Sequence, residues 1–286
     1  MKGIILAGGN GTRLNPVTIS FTKQLLPIYD KPLIYYPLST LMNLCITEIL
    51  IICKTNQLKN FQNLLGNGNK FGLKIEYRIQ DEPRGIAEAL IIGEDFIKDH
   101  PVALILGDNI FYGHKMEDNI TKFSRKENAK IFLYKVKNPH QYGVANFKKN
   151  KLSIIVEKPK NPLSNFAVTG LYFYNKGVSK YAKKLRPSKR GELEITDLNN
   201  IYIKENKMSY IELSQMSIWF DAGTTSDLLS ASEYIKAIQK RNNILISCPE
   251  EIAYKKKFIN KKKFIKLSKN NINNDYYNYL RKQTKI

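Results

Sequence analysis

Short apolar runs alternate with amphipathic stretches through the first two-thirds of the chain. Residues 3–7, 48–53 and 102–106 are apolar segments of strand length. Between them, 32–44, 56–65 and 85–96 carry apolar side chains at helical spacing, as in Leu58, Phe61, Leu64 and Leu65. Pro32 suits the first turn of its helix. Residues 73–79 alternate as a strand. Strands that alternate with helices predict a mostly parallel sheet covered on both faces.

The pattern then changes. Residues 131–136, 142–147, 152–156 and 166–174 read as strands joined by short turns, which predicts an antiparallel or mixed portion. Helical spacing returns at 194–205, at 226–240 and from about 247 onward. With no internal repeat and no glycine- or serine-rich linker, the expectation is one α/β domain over 1–246 and a basic helical appendage over 247–286.

Composition narrows the class. No stretch approaches the roughly 18 apolar residues of a membrane span, so no membrane association is expected. The N-terminal apolar run is too short for a signal peptide and enters a glycine loop at once. Cys45, Cys53 and Cys248 have no disulfide pattern. His100, His114 and His140 have no metal or triad spacing. A reducing, cytoplasmic compartment is expected.

The net charge is +21, and residues 254–286 alone hold eleven basic side chains against Asp275. Lys, Asn and Ile share AT-rich codons, so base composition alone can supply such a surface. Charge by itself supports weak, salt-sensitive binding to nucleic acid, and no specific nucleic-acid partner is expected. Phe258, Ile259, Phe264, Ile265 and Leu267 interleave the lysines, which suits short helices docked on the body rather than a disordered arm.

Chemistry in such sheets sits beyond the carboxyl ends of the strands. After the first strand come Gly8, Gly9, Asn10, Gly11, Thr12 and Arg13. The glycines let backbone N–H groups point inward as a phosphate nest, and Arg13 adds a planar cationic fork. The same residues also fit an ordinary glycine turn with a surface arginine. The loop is no Walker A motif, because Arg13 follows Thr12, and no dinucleotide fingerprint, because position 14 is Leu and Pro16 follows. A second strand end carries Gly107, Asp108 and Asn109. Asp108, with Asp221 far along the chain, suits a hard divalent cation; each also reads as a turn or helix-cap residue. Glu157 and Lys158, and the run from Arg190 to Asp197, offer further charge. Their plainer readings are a surface ion pair and an acidic helix start.

Together these segments resemble a known family. Leu6 to Leu14, with Lys23-Gln24-Leu25-Leu26-Pro27, resembles the signature of the sugar nucleotidyltransferases. Tyr29 to Leu38, Leu106 to Asn109, Tyr142-Gly143-Val144, Val168 to Tyr174, Arg190 to Asp197 and Cys248 to Tyr254 resemble the bacterial glucose-1-phosphate thymidylyltransferases. The likeness covers about residues 1–260. It implies a Rossmann-like three-layer α/β/α fold with a mixed, mostly parallel sheet. It also implies a nucleotide-binding part over about 1–110 and a sugar-binding part over about 111–246.

The implied reaction joins dTTP and α-D-glucose 1-phosphate to give dTDP-glucose and pyrophosphate, at the head of dTDP-rhamnose-type polysaccharide precursor synthesis. A related enzyme using UTP or another triphosphate is the alternative. Gly8, Gly9, Gly11, Thr12 and Gln24 would hold the nucleotide, with Arg13 at the leaving pyrophosphate and Lys23 at the α-phosphate. Gln80 and Gly85 would hold the base. Asp108 and Asp221 would bind Mg²⁺. Asn109, Gly143, Glu157, Lys158, Val168 and Arg190 would bind the sugar phosphate, with Lys158 among the catalytic cations. A homotetramer, and feedback inhibition by a downstream dTDP-sugar at a second site, are implied as well. The chain departs from the family pattern at Arg84, often an acid, at Glu88, usually Gln, at Ala222, usually Thr, and at Phe21.

Overall fold

The computed structural model describes residues 1–113, 128–269 and 272–284; His114 lies outside them. In chain order the strands are β1 (Lys2–Leu6), β2 (Pro27–Ile28), β3 (Lys31–Pro32), β4 (Glu48–Cys53), β5 (Lys74–Ile79), β6 (Val102–Leu106) and β7 (Ile110–Gly113). Then follow β8 (Ala129–Lys135), β9 (Gly143–Lys148), β10 (Lys151–Glu157), β11 (Phe166–Tyr174), β12 (Met208–Glu212) and β13 (Ser217–Phe220).

Nine of these strands form one sheet in the order β10-β9-β11-β6-β1-β4-β5, with β8 paired to β11 and β12 to β8. The pairs β1–β4, β1–β6, β4–β5 and β8–β12 are parallel. β11 runs antiparallel to β6, β8 and β9. It joins the two halves: Leu171–Tyr174 pair with β6, whereas Ala167 pairs with Val144 of β9.

The apolar run of β1 is explained by its place at the middle of the sheet. Successive side chains point to opposite faces, and both faces are covered. Ile5 packs into one core with Leu38, Ile51 and Phe61. Ile4 packs into the other with Leu50, Leu90 and Leu104. Two cores flanking one mixed, mostly parallel sheet make the three-layer arrangement.

Two expected helices differ. The helix expected over 32–44 begins at Tyr35 and ends at Asn43, because Pro32 pairs with Pro27 in the β2–β3 hairpin. The helix expected over 85–96 becomes two short ones, Glu88–Ile92 and Glu94–Ile97. Gly93 packs so tightly that a Cβ there would lie 2.8 Å from Ile4 Cδ1. The segment before Glu88 pairs with Leu193 instead of continuing the helix: Ala87 N donates to Leu193 O (3.2 Å) and Leu193 N to Arg84 O (2.7 Å).

The basic tail forms helices Pro249–Lys255, Lys261–Ser268 and Asp275–Gln283. The side chains of Asn260 and Asn274 cap the second and third by accepting from Lys263 N and Tyr277 N. Ala253, Phe264 and Leu280 are fully buried in the same core as Ile34, Leu38 and Phe71. The Tyr254 and Phe264 rings stack with centroids 4.7 Å apart. Most lysines of this segment are exposed around a packed apolar face, though Lys255 pairs with Glu251 at 2.6 Å and Lys263 donates to the Asn69 carbonyl. Among the described residues, no helix is long and apolar enough to cross a membrane.

Candidate active site

Beyond the end of β1 the chain turns through Gly8 to Gly11. Gly8 lies against Gln80 at the end of β5, where a Cβ would sit 3.0 Å from Gln80 Oε1. A short 3-10 turn, Thr12–Leu14, follows; Leu14 is buried and Arg13 exposed. The neighbouring end of β6 packs on the second signature segment, since a Cβ on Gly107 would lie 2.9 Å from Gln24 Cγ. Gln24 is buried and accepts from Thr22 Oγ1 at 2.5 Å. This contact sets the position of Lys23.

Lys23 is buried, and its ammonium donates to Asp108 Oδ2 at 2.7 Å and to the Asp221 carbonyl at 3.3 Å. Asp221 follows β13, which is held against β7 by the pairing of Phe220 with Ile110. Arg13 lies near the same place. A Cβ on Gly223 would lie 3.3 Å from both Arg13 terminal nitrogens and 3.3 Å from Asp221 Oδ2. Burial raises the Asp221 carboxyl above the usual carboxylate range, helped by the negative charges of Asp108 and Asp227 and opposed by Lys23 and Arg13. Asp221 is no helix cap. Thr224 caps the helix Thr225–Asn242 in a reciprocal box with Asp227.

Asn109 ties these parts together. Its Nδ2 donates to Asp108 Oδ1 at 2.8 Å, and its Oδ1 accepts from Trp219 Nε1 at 2.6 Å and Gly170 N at 3.0 Å. The Gly170 contact requires glycine, because a Cβ there would lie 2.6 Å from Asn109 Oδ1. It falls where the register of β11 shifts between Val168 and Tyr172.

A second group of charges lies at the ends of β9 and β10. Glu157 Oε2 accepts from Thr196 Oγ1 at 2.6 Å and would lie 3.3 Å from a Cβ on Gly143. Lys158 Nζ is 3.9 Å from Glu157 Oε1. One Arg190 nitrogen stands 3.5 Å from Glu157 Oε1 and 2.9 Å from Glu194 Oε2. Arg190 therefore meets carboxylates before any phosphate reaches it. Val168 lies nearly buried at the bulge in β11. Tyr142 links the two groups. Its carbonyl accepts from Lys158 N at 3.0 Å, and its phenol lies within reach of the Asp221 charge. Burial, with the nearby Asp221 charge, pushes the Tyr142 phenol up to about 12.

The third part is formed by Gln80, Gly85 and Glu88. Gln80 is buried, and its Nε2 donates to Glu88 Oε2 at 2.7 Å and to Gly85 O at 3.3 Å. Gly85 takes a φ of +104°, and a Cβ there would lie 2.4 Å from Leu193 O. Only glycine permits that approach.

The sequence reading did not single out Tyr142, Trp219 or Thr196 for roles. Tyr142 stands in the Tyr142-Gly143-Val144 motif, and Trp219 two residues before Asp221, so adjacency was the available signal. Thr196 carried none beyond its place in the Arg190–Asp197 run.

The model of the nucleotidyl transferase family matches residues 2–238. A glucose-1-phosphate thymidylyltransferase from Xanthomonas campestris pv. campestris (strain B100) is 47% identical over 281 residues, covering 98% of this chain and 95% of its own. One from Neisseria meningitidis serogroup A is 45% identical over 282 residues, with 98% of each chain covered. A Bacillus anthracis protein classed provisionally as a glucose-1-phosphate thymidylyltransferase, crystallised with sucrose, superposes with a TM-score of 0.77. It is 44% identical, and the match covers 82% of this chain and 94% of that one. A UDP-glucose pyrophosphorylase shares the fold at 24% identity and a TM-score of 0.72, covering 84% and 98% of the two chains. The chain belongs to the nucleotidyl transferase family, in the group of the glucose-1-phosphate thymidylyltransferases.

Proposed function

We propose that this chain transfers a thymidylyl group from dTTP to α-D-glucose 1-phosphate, forming dTDP-glucose and releasing pyrophosphate. The observation that carries the reading is the meeting of Lys23, Asp108, Asp221 and Arg13 beyond the ends of β1 and β6, with Lys23 donating to the Asp108 carboxylate and to the Asp221 backbone carbonyl. Two anions must meet in this reaction, so the protein's task is positioning and charge neutralisation.

A phosphate oxygen of the sugar phosphate attacks the α-phosphorus of dTTP in line, and the bond to the pyrophosphate oxygen breaks. Arg13 neutralises the leaving pyrophosphate, while Lys23 turns from Asp108 to the α-phosphate. Gly8, Gly9, Gly11, Thr12 and Gln24 shape the phosphate loop, and Gln80 with Gly85 holds the base. Asn109, Gly143, Glu157, Lys158, Val168 and Arg190 form the sugar-phosphate pocket, where Glu157 accepts from sugar hydroxyls.

The acid pair fits a divalent metal. Mg²⁺ takes one or two carboxylates and completes its sphere with substrate phosphates. The described residues contain no cluster of three or more acidic, histidine or cysteine ligands, and Asp108 and Asp221 supply the two hard oxygen ligands. When bound, Mg²⁺ would draw charge from the phosphate oxygens.

The regulatory site fits a cavity of about 270 Å³ bounded by Phe111, Tyr112, Leu245, Glu251 and Lys255. Phe111 pairs with Trp219, so a downstream dTDP-sugar bound there would press on the strand that leads to Asp221. We also propose a cytoplasmic homotetramer, a nucleotide part over about 1–110, a sugar part over about 111–246, and a helical segment over 247–286.

Glucose 1-phosphate labelled with ¹⁸O on its phosphate tests the chemistry by ³¹P NMR. All label is expected in the dTDP-glucose phosphate next to glucose, and label in pyrophosphate would refute it.

A further inference from the structure

We propose that Glu88 is a positioning residue for base selection. It holds the Gln80 amide with its oxygen toward the nucleotide cleft, so that the pocket takes a base presenting a ring imide N–H. The inference rests on the reading above that Gln80 faces the base.

The orientation of a glutamine amide follows from its hydrogen-bond partners. Gln80 Nε2 carries two hydrogens, and two acceptors stand before it: Glu88 Oε2 at 2.7 Å and the Gly85 carbonyl at 3.3 Å. Turning the amide over would set Oε1 against both, an oxygen facing a carboxylate and a carbonyl in a buried place. An ionised carboxylate can only accept, whereas a glutamine at position 88 could offer either end of its own amide. Glu88 therefore fixes the sense of Gln80, and a bond to a charged acceptor is among the stronger kinds. On the opposite side of the amide, Oε1 lies at Gly8, where a Cβ would come within 3.0 Å. Gly8 opens the proposed phosphate loop, so the oxygen borders the same cleft.

Glu88 is itself held in place. It begins the helix Glu88–Ile92 directly after the segment pinned to Leu193. The hydrogen bond and charge of Glu82, and then the charge of Glu88, raise the nearby Arg84 guanidinium. Arg84 itself is paired with Glu82 at 2.9 Å.

Chemical selectivity follows. Thymine and uracil offer a ring N–H between two carbonyls, which a fixed Oε1 accepts. Cytosine offers a ring nitrogen lone pair at the same edge, so two acceptors would meet. A site built around a hydrogen bond rejects a partner that cannot make it far more strongly than a site built on shape. The positioning role concerns the pyrimidine ring edge and leaves the thymine methyl to other contacts.

The test measures kcat and KM for dTTP and dCTP, with Mg²⁺ and glucose 1-phosphate, in the full-length protein. Glu88→Leu is expected to raise the KM for dTTP roughly tenfold with kcat within about twofold. It should lower the dTTP-to-dCTP ratio of kcat/KM by at least roughly tenfold. Glu88→Gln, which keeps the length and can accept through its own oxygen, should recover part of both. In a Gln80→Ala background, Glu88→Leu should change the ratio no further. Glu88→Met carries the same expectations if a melting curve shows the leucine variant unfolded. Wild-type KM and ratio in a folded Glu88→Leu or Glu88→Met variant would overturn the proposal while leaving dTTP as substrate. If Gln80→Ala instead keeps the wild-type ratio, the base-pocket reading itself fails.

Discussion

Lys23 sets its ammonium 2.7 Å from Asp108 Oδ2, across 85 residues of sequence, and reaches the Asp221 carbonyl with the same nitrogen. One buried cation thereby joins the Lys23–Pro27 segment, the end of β6 and the segment after β13. Without it, Asp108 and a largely buried Asp221 repel each other with Arg13 left to offset them. Lys23→Met should lower kcat by roughly 10²-fold, the scale of one preorganised charge donor. It should also lower the melting temperature, and added Mg²⁺ should recover part of that loss because a cation bound only to the folded state stabilises it. Melting curves with and without Mg²⁺ check this; a variant indifferent to the metal would separate Lys23 from the proposed metal site.

Arg13 sits on an exposed turn and packs no core, so its removal should cost function rather than stability. Arg13→Ala should lower kcat by roughly 10²-fold or more with an unchanged melting temperature. Near-normal turnover of the folded variant would remove Arg13 from the mechanism.

Asp108→Asn and Asp221→Asn each take an anionic ligand from one proposed ion. Each should lose most Mg²⁺-dependent activity, and the double variant should be little worse than either single one, because groups acting as a unit are non-additive. Steady-state rates across a Mg²⁺ titration give the answer. Fully additive losses would mean the two acids do separate jobs.

The tail makes a stability prediction. Phe264 is fully buried among residues of the main body and stacks on Tyr254. Phe264→Ala should cost about 3–5 kcal/mol. Tyr276 donates to Glu250 Oε2 at 2.6 Å in a buried site, and Tyr276→Phe, which leaves that oxygen the weak Cys248 thiol donor at 3.5 Å, should cost about 1–3 kcal/mol. Denaturant unfolding measures both. Losing residues 256–286 would open this core, so truncation should destabilise the body as well as disturb assembly or inhibition; an undiminished melting temperature would contradict that.

The strands buried on both faces were legible because their sequences are continuous apolar runs. Glu48–Cys53, Val102–Leu106 and Phe166–Tyr174 have the bounds their patterns predict. The four-residue strands β7 and β13 were not, since four residues carry no period, and their pairing spans the distance from Phe111 to Trp219. The break at Gly93 was hidden for another reason: it is set by the approach of Ile4 from a neighbouring strand, which local periodicity does not record. Within the site, Arg13, Lys23, Asp108 and Asp221 could be singled out by residue type and by resemblance. The capping alternative for Asp221 stayed open until Thr224 and Asp227 were seen to close the box themselves. The roles of Asn109 as a hub and Glu88 as the partner of Gln80 depend on tertiary contacts, and no spacing in the sequence announces them.

The most direct measurement is pyrophosphate release from a panel of nucleoside triphosphates against a panel of sugar 1-phosphates, with Mg²⁺ present. The account predicts the highest kcat/KM for dTTP with glucose 1-phosphate, no release without a sugar phosphate, and loss of activity on chelation. Faster turnover of UTP or another triphosphate, or of a different sugar phosphate, or release that persists in chelator, would contradict it.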